Sequence, residues 1–185
     1  IRKVEIKGDT LLLNNEPVRL PGIEYMPGSY PEFGMAEPLW VMEKAVEQIK
    51  DLNCVLTRCH WQYDKRYFDL LDEKGILVQE EIPWWQAPGN LTPELEDLAK
   101  KQIDEMIERD FNHPSIISWG VSNEVFYNTD KDIYRRLIRH AKDYNSGRFV
   151  TVVSNEIFDR LENDESLLGD IPVSYTHLRA HETGA

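Results

Sequence analysis

The sequence predicts an α/β protein built on a parallel sheet, and three observations carry that prediction. Short apolar runs alternate with amphipathic helical stretches along most of the 185 residues. The runs "CVLTRCHW", "ILVQEEIP", "SIISWGVS" and "RFVTVVS" are apolar enough to be buried on both faces, as strands of a parallel sheet are. Polar or aromatic residues stand at the C-terminal end of each: His60-Trp61, Glu80-Glu81 with Trp84-Trp85, Asn123-Glu124, and Ser154-Asn155-Glu156. On pattern alone the sheet is either an open doubly wound one or a barrel. In a barrel, those strand ends form the active face.

The elements follow in order. "KVEIKGDTLLLNNEPVRLPGIEY" reads as a β-hairpin and then a strand, with Asn14-Asn15 as the turn and Val18, Leu20 and Ile23 as the apolar body after it. A helix is predicted from about Pro38, because Leu39, Met42, Val46, Ile49 and Leu52 recur at helical spacing. Asp64 caps the next helix, which buries Tyr67, Phe68 and Leu71 and ends at Gly75. Thr92-Pro93 opens a long helix whose inner face is Leu95, Leu98, Ile103, Met106 and Ile107. A last helix, capped near Asp130, carries Ile133, Leu137, Ala141 and Tyr144 and stops at Gly147.

Composition narrows the class of function. A formal charge of −12 argues against wrapping nucleic acid, which needs a basic surface, and against anionic membranes. No run of about 18 apolar residues exists to span a bilayer. The opening "IRKVEIKGD" has no initiator Met and no signal-peptide layout, so the chain is expected to begin inside a longer protein. Cys54 and Cys59 fall in one strand, and at roughly 3.3 Å per residue they are too far apart to bridge. No glycine-rich phosphate loop follows a strand, which disfavours nucleotide binding.

Glu124 follows an apolar strand beside aromatics and a second acid, a setting that suits a general acid/base. It also suits a loop glutamate making an ordinary hydrogen bond. Asn123 can both donate to and accept from a substrate hydroxyl, and is equally at home in a turn. Glu81 and His60 are candidates for binding sugar hydroxyls or for holding Glu124. Trp84, Trp85 and Trp119 offer flat faces to the C–H face of a pyranose, or pack the core. His113-Pro114, at a strand's entry, reads as structural. A metal site built from His60, Glu80, Glu81 and Glu124 lacks any paired-ligand spacing, so no metal is expected.

At this point the residues resemble the catalytic domain of glycoside hydrolase family two, the β-galactosidase/β-glucuronidase family. "NNEPVRLPGIEYMPGSYPEFGMA" resembles its first barrel strand and loop, and "DKRYFDLLDEKGILVQEEIP" its helix and third strand. "RDFNHPSIISWGVSNE" resembles the acid/base signature and "GRFVTVVSN" the fifth strand, so the likeness runs from about residue 5 to 171. It implies a partial TIM (β/α)8 barrel, roughly strands one to five, with a short N-terminal β-hairpin. It implies a retaining exo-β-glycosidase acting on a carbohydrate substrate, with no cofactor. Glu124 would be the acid/base, Asn123 would contact the hydroxyl beside the anomeric carbon, and His60, Glu81, Trp84 and Trp119 would line the sugar pocket. A non-hydrolytic carbohydrate-binding relative and a retaining glycosidase of a related barrel family are the alternatives. An oligomer is compatible with the full-length parent.

Two departures accompany the resemblance. The family places an Arg three residues before the second-strand His, where this chain has Thr57; Arg58 stands two before. A one-residue shift turns a side chain to the other face, so the role of Arg58 stays open unless a bulge restores it. The family's nucleophile comes from the seventh strand, which residues 1–172 do not reach, and neither Glu156 nor Glu165 lies late enough to replace it. The fragment alone is therefore expected to be inactive. "VSYTHLRAHET", from Val173, breaks the pattern and resembles a translated transposase adapter used in sequencing libraries. Residues 173–185 are expected to be a non-native tail, with His177 and His181 a false metal motif.

Overall fold

The computed structural model describes residues 2–85, 92–125, 132–144, 147–154 and 164–174. Three short strands come first, β1 (Val4–Lys7), β2 (Thr10–Leu13) and β3 (Glu16–Pro17), in an antiparallel meander. The expected turn at Asn14-Asn15 joins β2 to β3, with φ of 53° and 72°. Both values are positive, as the two central residues of a type I′ turn require, and Asn tolerates that conformation better than most residues. A second turn at Gly8-Asp9 makes the unit three-stranded rather than a single hairpin.

Six parallel strands then form one sheet in chain order: β4 (Gly22–Glu24), β5 (Leu56–Cys59), β6 (Leu77–Glu81), β7 (Ile116–Asn123), β8 (Phe149–Ser154) and β9 (Val173–Ser174). Between them run helices α1 (Leu39–Asp51), α2 (Lys65–Lys74), α3 (Pro93–Asp110) and α4 (Asp132–Tyr144). Sequential strand order with intervening helices is that of a partial (β/α)8 barrel, as expected from β4 through β8. Val173 and Ser174, the first residues of the expected tail, pair with Val153 and Ser154 of β8. The rest of that tail, the cap at Asp130 and the strand-end pair Asn155-Glu156 lie outside the described residues.

Capping follows the sequence closely. Asp64 accepts from the backbone N–H of Arg66 at 2.9 Å, Gly75 closes α2 with φ of 70°, and Thr92 caps α3 with Pro93 in its first turn. The helices bury Val46 and Ile49, Tyr67, Phe68 and Leu71, Ile103, Met106 and Ile107, and Ile133 and Leu137 against the sheet. Each such side chain contributes about 1.5–3 kcal/mol. Leu39, Leu52, Leu95, Leu98 and Tyr144, expected on those inner faces, are exposed instead. Leu39, Leu52, Leu95 and Tyr144 lie at helix ends. His113 is structural as expected: its Nδ1 lies 2.7 Å from Asp72, tying the entry of β7 to α2. Cys54 and Cys59 are free thiols. Among the described residues no helix is long and apolar enough to cross a membrane.

Candidate active site

The register of the sheet decides which side chains meet. Glu24 pairs with Arg58, Arg58 with Gln79, Gln79 with Ser118 and Glu81 with Gly120. Residues in register share a face, so these line one side of the sheet. Cys59, Glu80 and Trp119 line the other, where Arg109 at the end of α3 reaches the Glu80 carboxylate at 3.3 Å. That second face looks toward the helices. The first holds the candidate site.

Arg58, whose role the sequence leaves open, stands at its centre. Its Nη1 donates to Glu24 Oε2 at 3.0 Å, while Nη2 donates to Glu81 Oε1 at 2.7 Å and to Asn123 Oδ1 at 2.8 Å. No bulge is needed in β5, whose pairing to β6 is regular. The decisive spacing is to His60. Two residues apart on an extended chain, Arg58 and His60 fall on the same face. His60 Nδ1 lies 3.6 Å from Glu81 Oε1.

A bulge does act in β7. Between Gly120 and Asn123 this strand advances three residues while β8 advances two, from Thr151 to Val153. The extra residue reverses the alternation, so Asn123 rejoins the face of Gly120 and meets Arg58. Glu124 then takes φ of 50°, a left-handed conformation rare for a residue with a side chain, and its N–H donates to Val153 O at 2.9 Å. The strand ends there, with Glu124 only 9% exposed. Asn123 N–H donates to Trp84 O at 3.0 Å, which stitches the loop after β6 onto the end of β7.

Close packing beneath Glu81 depends on a glycine. A Cβ on Gly120 would lie 2.7 Å from Glu81 Cγ and Oε2. Burial pushes the Glu81 carboxyl up to about 8, with the Arg58 guanidinium pulling the other way. The His60 imidazole is held below its ordinary value, first by burial and then by the charge of Arg58; Glu24 and Glu124 oppose both. Among the described residues no cluster of three or more His, Cys, Asp or Glu is placed to hold a metal ion.

The aromatic candidates separate. Trp119 is completely buried, with the Arg148 guanidinium 4.8 Å from its ring centroid on the helix-facing side. It has no surface to offer a ligand, so its expected place in the sugar pocket is corrected: one residue along a strand from Ser118 or Gly120 is the wrong face. Trp84 packs against the core and is partly buried. Its neighbour Trp85 is 57% exposed and meets the His60 ring edge-on at 6.1 Å, and Trp61 flanks His60 at 5.7 Å. Nothing in the sequence singles out Glu24. Its short strand carries no alternation strong enough to mark which residue faces inward.

The geometry has counterparts. The family model described as "Glycosyl hydrolases family 2, TIM barrel domain" matches residues 4–170. A β-galactosidase of Thermoanaerobacterium thermosulfurigenes is 43% identical over 123 residues, 65% of this chain and 17% of that protein. A β-galactosidase of Thermoanaerobacter pseudethanolicus is 38% identical over 150 residues, 77% of this chain and 19% of that one. Among solved structures, Bacteroides uniformis β-glucuronidase 2, covalently bound to cyclophellitol-6-carboxylate aziridine, matches with a TM-score of 0.80 at 27% identity, covering 92% of this chain and 22% of the other. The family 2 β-galacturonidase of Eisenbergiella tayi bound to galacturonate matches at 0.78 and 31% identity, over 84% of this chain and 29% of the other. The chain spans about a fifth of the length of these curated relatives. It belongs to glycosyl hydrolase family 2, as part of the TIM barrel domain.

Proposed function

We propose that this chain supplies the acid/base half of the active site of a retaining exo-β-glycosidase of the β-galactosidase/β-glucuronidase type, with Glu124 as the proton donor. The observation that carries it is the end of β7. There a bulge and a left-handed residue set Asn123 and Glu124 side by side at the C-terminal edge of a parallel sheet, next to Arg58 and Glu81. Strand C-termini are where barrel enzymes do their chemistry.

In this reading Glu124 gives its proton to the departing glycosidic oxygen as the C–O bond breaks. It then takes a proton from the water that releases the sugar. Asn123 donates from its amide to the hydroxyl beside the anomeric carbon. Glu81 and His60 line the donor pocket, and Trp84 with Trp85 gives it an aromatic wall. The nucleophile is a carboxylate about 5–5.5 Å from Glu124, contributed by a later barrel strand outside these 185 residues, so the chain alone does not hydrolyse. Residues 1–172 are then the N-terminal part of the catalytic domain and 173–185 a non-native tail. The names of the relatives, β-galactosidases and β-glucuronidases, support the substrate class.

The test is Glu124→Gln in the full-length protein. Loss of the acid should lower kcat/KM about 10²–10⁴-fold for glycosides with poor leaving groups. Dinitrophenyl glycosides, which depart without protonation, should be spared most of it. An equal loss on both removes Glu124 from the role.

A further inference from the structure

Glu24 ends the short strand β4, in register with Arg58. Its carboxylate takes Arg58 Nη1 at 3.0 Å, while the other terminal nitrogen reaches both Glu81 and Asn123. We propose that Glu24 is a positioning residue for glycoside cleavage: it anchors the Arg58 guanidinium, and through it fixes which group of the Asn123 amide faces the substrate. The proposal rests on the glycosidase reading above and adds to it a residue that never touches the sugar.

Donors and acceptors set the orientation. A guanidinium has five N–H donors and no acceptor, so only the oxygen of an amide can face it. With Oδ1 of Asn123 against Nη2, the amide NH2 is the group left to meet a sugar hydroxyl. A guanidinium free to tilt would no longer enforce that choice. Planar, forked geometry makes Arg sensitive to losing one of its two anchoring sides.

Glu81 cannot anchor Arg58 alone. It is completely buried, and burial favours its neutral form, so over much of the neutral range its charge does not offset the guanidinium. Glu24, only partly buried at the strand end, supplies that charge at lower desolvation cost. The order along the sheet is thus Glu24, Arg58, then Glu81 and Asn123, carried by β4, β5, β6 and β7. Four strands set one amide.

The test is Glu24→Gln in the full-length protein, read with a pair of substrates: an aryl β-glycoside and its 2-deoxy analogue, which lacks the hydroxyl assigned to Asn123. The expected result is a tenfold or greater fall in kcat/KM for the parent glycoside, less than threefold for the 2-deoxy analogue, and partial recovery in Glu24→Asp. An equal fall on both substrates assigns Glu24 to fold stability and overturns the proposal. A crystal structure of Glu24→Gln reads the same point without turnover. Arg58 should move off Asn123, or the Asn123 amide should turn; an unchanged 2.8 Å contact overturns it. Failure of the glycosidase reading is separate: it shows as leaving-group-independent loss in Glu124→Gln, whatever Glu24 does.

Discussion

Replacing Gly120 by alanine tests how tightly Glu81 packs against β7. The new Cβ would lie 2.7 Å from Glu81 Cγ and Oε2 and 2.8 Å from Glu81 Cβ. Carbon atoms prefer about 3.5–4.0 Å, so the overlap is about 1 Å with several atoms at once. Rotation about χ1 cannot relieve the clash with Cβ. Either the β6–β7 pairing spreads, at about the 1–3 kcal/mol typical of overpacking, or the β6 backbone shifts locally and carries Glu81 off Arg58. The second route breaks a buried hydrogen bond held at 2.7 Å and costs about 1–3 kcal/mol. The expected loss is about 1–3 kcal/mol in urea unfolding of the full-length protein, with kcat/KM falling as Arg58 and Asn123 lose register. A loss below about 0.5 kcal/mol, the scale of a neutral surface change, with normal kinetics would refute the reasoning.

Arg58→Met keeps the stem and removes the charge, leaving Glu24, Glu81 and Asn123 without their shared donor. Unfolding should show a cost of about 1–3 kcal/mol, and a cost under about 0.5 kcal/mol would mean the three acceptors find other partners. Glu81 gives a pH signature. Its folded value of about 8 lies above the ordinary 4.5, so between those values the unfolded chain releases a proton that the folded one keeps. Its contribution to stability is therefore complete below about 4.5 and is lost as pH rises to about 8. Glu81→Gln should flatten that slope in urea midpoints measured from pH 4 to 9, and an unchanged slope would count against it. On the outer surface, Glu96 of α3 takes a bidentate contact from Arg136 of α4 at 2.8–3.1 Å. Arg136, followed by Lys100, holds the carboxyl at about 2, so its help is present above about 4.5 and disappears as pH falls through 2. Because Arg136 is well exposed, Glu96→Gln should cost only about 0.5–1 kcal/mol near neutrality. Thermal unfolding in 1 M salt should shrink that difference, since screening weakens such a pair.

Much of this protein is legible along the chain because its signals are local. Apolar spacing in α2 and α4, the Asp64 and Thr92 caps, the Gly75 stop and the Asn14-Asn15 turn each act within a few residues. They determine the α/β class and the order of elements. Strand ends also mark the candidate site, so His60, Glu81, Asn123 and Glu124 stand out along the chain. Facing is another matter. Whether a strand residue points to the candidate site or to a helix depends on parity, and parity depends on register and bulges set by neighbouring strands. Thus Trp119 belongs to the core, Arg58 to the site, and Asn123 reaches it only through the extra residue between Gly120 and Asn123. Glu24, 34 residues from Arg58 in sequence, gains its role solely by pairing with it. The sequence by itself determined the parallel α/β scaffold and the strand ends where chemistry can occur. Only the tertiary structure decided which side chains converge there, because a hydrogen bond across four strands has no signature in any one of them.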